Sequence, residues 1–77
     1  MKQQRVPIYS ANALENSTGD KLGFTIYEIG ERIFKISCGK RPPHSFQSKQ
    51  LIDKERVRVE IATTYNAKDV IVEEYHQ

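Results

Sequence analysis

The chain has 77 residues, with twelve Lys and Arg against ten Asp and Glu, a formal charge of +2 and a single cysteine. That length allows one small domain, which buries only about 60% of the surface its unfolded chain exposes. Cys38 alone makes no internal disulfide, and together with His44 and His76 it falls short of the four ligands of a closed zinc site, so no metal and no cofactor are expected.

No apolar run approaches the roughly 20 residues of a membrane helix. The polar opening Met1-Lys2-Gln3-Gln4-Arg5 leads into no signal-peptide stretch. A soluble chain in a reducing, cytoplasmic compartment is expected.

Residues 5–10 read as a short strand that Pro7 confines to a sheet edge. Residues 11–16, Ala-Asn-Ala-Leu-Glu-Asn, read as a short helix, and Ser17-Thr18-Gly19-Asp20 as a turn. Residues 24–29 and 32–37 are rich in aromatic and β-branched side chains, and glycine opens the Gly30-Glu31 link between them. That is the signature of a tight hairpin. This turn sets Tyr27 opposite Phe34 and Thr25 opposite Ile36. With Ile29 and Cys38 they form the expected core face, and Phe24, Ile26 and Ile33 fall on the opposite face. A slip of one residue would exchange the two faces.

Residues 39–47 follow, Gly-Lys-Arg-Pro-Pro-His-Ser-Phe-Gln. Two consecutive prolines bar a central strand or a helix interior, so the segment reads as an exposed basic connection between two hairpins. Residues 45–55 are open between loop and helix, with Ser48 as the cap if helical. Residues 56–65 begin with strict alternation: Val57, Val59 and Ile61 one way, Arg56, Arg58 and Glu60 the other. That is the period of a half-buried strand. A turn at residues 66–68 and a last strand at residues 69–75 complete a second hairpin. The fold class expected is mainly β (α+β): a small five-stranded antiparallel sheet, or a partly open OB- or SH3-like barrel, with one or two short helices.

Cys38 and His44 lie close enough in sequence to meet, yet a catalytic cysteine needs a positioned base and a lowered pKa. Cys38 falls on the apolar face and reads as a small buried hydrophobe. With no triad, phosphate loop or dinucleotide fingerprint in the sequence, the chain reads as a non-enzyme.

The expected contact set is Lys40, Arg41, His44 and Phe46 on the Pro-Pro segment, with Arg56 and Arg58 beside them. A second candidate interface is the half-apolar set Phe24, Ile26 and Ile33. Cations and aromatics of this kind suit a protein partner, and a protein-interaction module acting as regulator, adaptor or inhibitor is the first reading. A nucleic-acid-binding OB- or SH3-like domain using the same basic patch is the alternative. A homodimer is a third possibility, through a free sheet edge or through the Phe24, Ile26 and Ile33 face.

Overall fold

The computed structural model describes residues 6–39 and 41–76. Its elements are β1 (Val6–Glu15), β2 (Lys21–Gly30), β3 (Ile33–Cys38), β4 (Arg41–Gln47), α1 (Lys54–Thr64) and β5 (Ala67–Glu74). The strands form one sheet in the order β4-β3-β2-β1-β5, and every neighbouring pair is antiparallel. Four strands run as a meander. The fifth has the same direction as β4 and lies at the far edge, so a hairpin cannot join them and α1 makes the crossover. The sheet is an open antiparallel one with a single short helix and does not close into a barrel.

The core lies between α1 and one sheet face. It gathers Ala11, Ala13, Leu22, Phe24, Ile26, Phe34, Ile36, Cys38 and Phe46 from the strands that meander, Val57 and Ile61 from the helix, and Ala67 from β5. Burying an aliphatic side chain of this size contributes about 1.5–3 kcal/mol.

The β2–β3 hairpin forms, but one residue out of the expected register. Its loop is Glu31-Arg32, with Gly30 paired to Ile33, and the left-handed residue is Arg32 at φ 57°. The register shifts between Glu28 and Gly30, leaving Ile29 as the extra residue. Phe24 therefore faces Cys38 and Ile26 faces Ile36, while Tyr27 pairs with Lys35 and Thr25 with Ser37. The β3 half of the expected core face is correct and the β2 half is inverted. This dissolves the second candidate interface: Phe24 and Ile26 are buried, and only Ile33 remains exposed.

Residues 11–15 are strand, not helix, and β1 is an interior strand between β2 and β5. Local helix propensity yields here to the sheet because Ala11 and Ala13 offer small side chains to the packed face. Pro7 is tolerated because the hydrogen bonding between β1 and β5 begins after it, at Ile8, beside a bulge between Pro7 and Tyr9.

The Pro-Pro segment is also a strand rather than a connection. Residues 41–47 pair with β3 as an edge, Phe34 facing Phe46 and Ile36 facing His44. Between the pairs Ile36–His44 and Cys38–Arg41, two residues of β4, Pro42 and Pro43, stand against one of β3, Ser37, so the prolines occupy a bulge. An edge and a bulge are the places where a sheet accepts missing donors.

Residues 56–65 form most of a helix rather than the expected strand. Val57 and Ile61, four apart, satisfy both periods and are fully buried, whereas Val59 is 45% exposed. Asp53 caps the helix by accepting from the Arg56 backbone N–H at 2.8 Å. Glu55 sits in the first turn, where the helix dipole favours it. Arg56–Glu60 and Arg58–Glu55 are side-chain pairs at helical spacing. The Tyr65 N–H closes the last turn on the Ile61 carbonyl at 3.0 Å, and Asn66 at φ 51° turns the chain into β5. The last strand exists as expected, but it pairs with β1.

Candidate interaction surface

His44 and Phe46 alternate on β4 so that both face α1, and the helix presents Arg56 and Glu60 one turn apart to meet them. His44 Nε2 lies 2.7 Å from a Glu60 oxygen, and an Arg56 Nη lies 3.4 Å from the other. The Arg56 guanidinium sits over the Phe46 ring, 5.2 Å from its centroid. The His44 and Phe46 rings are stacked at 6.1 Å. One carboxylate thus serves an imidazole and a guanidinium, with an aromatic floor beneath the arginine.

The structure brings together three of the six expected contact residues, His44, Phe46 and Arg56. Arg58 projects from another side of α1 and pairs with Glu55, whose carboxyl is held below its ordinary pKa, chiefly by that hydrogen bond. Arg41 is ion-paired with Glu15 near the opposite end of β4. Lys40 lies outside the described residues. The expected basic patch is therefore interleaved with its own carboxylates, Glu15, Glu55 and Glu60. Cys38 is buried on the core face as the sequence implies, and His44 is engaged with Glu60.

The exposed feature that the sequence reading missed is the loop between β4 and α1. Leu51 at its tip is 88% exposed. The loop is nonetheless tied down. The Ser48 N–H donates to the Arg32 carbonyl at 2.9 Å, the Ser48 hydroxyl donates to the Gln50 carbonyl at 2.6 Å, and Arg32 Nη1 donates to the Lys49 carbonyl at 2.8 Å.

On one side of Leu51 is a depression of about 400 Å³ whose apolar lining is Ile8, Tyr9, Phe34, Leu51 and Ile52, with Glu28, Arg32 and Glu74 adding charge. On the other side is a more polar hollow of about 300 Å³ that reaches Asp53 and Arg56. Leu51 stands between the two and links the apolar depression to the Arg56–Phe46–His44 group. The signal for this loop was Asp53: as a helix cap it ends the connection at residue 53 and leaves Leu51 outside the helix, where no core claims it.

Among the described residues no helix is long and apolar enough to cross a membrane, and no group of His, Cys, Asp and Glu has the arrangement of a metal site. Fold and surface define a small, mainly β open-sheet domain with an anchored loop that exposes Leu51. Comparison with protein-family models, with curated proteins and with solved structures finds no match.

Proposed function

We propose that this chain is a non-enzymatic protein-interaction module that engages another protein through Leu51 and the two hollows beside it. The observation that carries the proposal is a large aliphatic side chain, almost wholly in solvent, on a loop fixed by three hydrogen bonds. An apolar anchor on an already ordered loop loses little conformational entropy on binding, so more of its burial is available as affinity. The depression is within the size that accepts one or two apolar side chains of a partner. Arg56, held over Phe46, supplies a cationic rim, with His44 beyond it. The role as regulator, adaptor or inhibitor follows from occupying a surface on that partner.

The nucleic-acid alternative has less support. Phosphate binding draws on cations free to replace counterions, and Arg41, Arg56 and Arg58 each have a carboxylate within ion-pair distance. The test is an affinity capture from host extract, with and without nuclease, using the wild-type chain, Leu51→Asp and Arg58→Glu. A protein partner should survive nuclease, be lost with Leu51→Asp and be kept with Arg58→Glu. Capture that disappears with nuclease, or that ignores Leu51→Asp, overturns the proposal.

A further inference from the structure

The sheet has two edges, and they differ. The β4 edge carries Pro42-Pro43 in a bulge, which removes two donors and bends the strand away from any added neighbour. The β5 edge has no proline and carries Val70-Ile71-Val72 in its middle. Tyr75 donates its N–H to the Ile8 carbonyl of β1 at 3.1 Å. In an antiparallel ladder the direction alternates, so residues 71, 73 and 75 address β1 while the backbone of Val70, Val72 and Glu74 faces outward.

We propose that this outward edge of β5 pairs antiparallel with β5 of a second copy of the chain, with Ile71 opposite Ile71 across the two-fold axis. In that register Val70 of each copy faces Val72 of the other, and the outward N–H and C=O groups of both valines meet. The helices then lie on one face of a continuous ten-stranded sheet, where Val70 and Val72 already pack against the core. On the open face the two Ile71 side chains, each 62% exposed, cover one another.

Registers centred on Val70 or Val72 would instead set Ile71 against Asp69 or Glu73. The strand is also self-complementary in charge: Lys68 near its start comes toward Glu73 and Glu74 near the end of the other copy. Asp69, which would meet Glu73, leaves the regular ladder, since the register against β1 shifts there and its φ is 53°. The paired run is short, so the dimer is weak and concentration-dependent.

Sedimentation equilibrium over a concentration series tests this, with two variants. Val72→Pro removes a donor that faces outward only, so it should abolish association while leaving the circular dichroism unchanged. Ile71→Cys places two thiols at a non-hydrogen-bonded pair, about 4.5 Å apart at Cα, within the disulfide range of roughly 4.4–6.8 Å. With oxidised glutathione added as the oxidant it should form a disulfide-linked dimer, while buried Cys38 stays out of the reaction. The wild-type mass should rise from 8.9 kDa toward twice that value. A mass that stays at the monomer value, association that survives Val72→Pro, or an Ile71→Cys chain that cross-links no faster than Thr25→Cys would overturn the proposal.

Discussion

Tyr65 ties the end of α1 to the sheet. Its hydroxyl donates to the Pro42 carbonyl at 2.8 Å, and its ring packs on Phe24 at 5.1 Å. Partial burial, and then the neighbouring Cys38, raise its pKa above the usual value near 10. The folded chain therefore holds this proton to a higher pH than the unfolded chain does. The sign follows from linkage: the stabilisation is complete below the unfolded pKa and is lost as pH rises through the folded one. Urea unfolding of Tyr65→Phe should show a loss of about 1 kcal/mol at neutral pH, the worth of one hydrogen bond. It should also show a shallower decline above pH ~10. The Arg58–Glu55 pair is different in kind. It is exposed and short-range, and its removal should change stability little.

At the scale of elements, much of the β architecture was legible and the helix was not, for physical reasons that particular residues show. The 24–38 hairpin is readable because aromatic and β-branched residues flank a glycine. Its faces were not readable, because a left-handed Arg32 moved the loop by one position and inverted β2 alone. Ile26→Ala should cost about 2–5 kcal/mol and Thr25→Ala under about 1 kcal/mol. The reverse order in a denaturant titration would restore the other face.

Val57 and Ile61 fit a strand and a helix equally well, so the decision rested on Val59 and on Asp53, whose capping role outweighs the alternation. Asp53→Ala should cost about 1 kcal/mol, and Val59→Ala should stabilise by a few tenths to about 0.6 kcal/mol as a better helix former on an exposed face. If 56–65 were a strand, both effects would vanish. Of the contact set expected around the Pro-Pro segment, His44, Phe46 and Arg56 do come together, whereas Arg41 and Arg58 pair with carboxylates elsewhere. What joins the three is Glu60, which the alternation had placed with Arg56 and Arg58 on the side of a strand opposite Val57, Val59 and Ile61.

For the whole molecule, the arrangement follows from one topological requirement. A four-stranded meander ends at β4, β5 must join the opposite edge, and the crossover lays α1 over one face while the other stays open. The connection that begins this crossover, between Gln47 and Lys54, has to leave the sheet before the helix can start. That is why a loop with Leu51 at its tip stands at the end of the domain beside an apolar depression.

The most direct test of this account is calorimetric titration of the captured partner against the wild-type chain, Leu51→Asp and Arg58→Glu, all three shown folded by circular dichroism. Loss of an anchor of hot-spot strength, about 2 kcal/mol, predicts an affinity weakened roughly thirtyfold for Leu51→Asp and left within about twofold for Arg58→Glu. Equal affinities for the wild type and Leu51→Asp would contradict it.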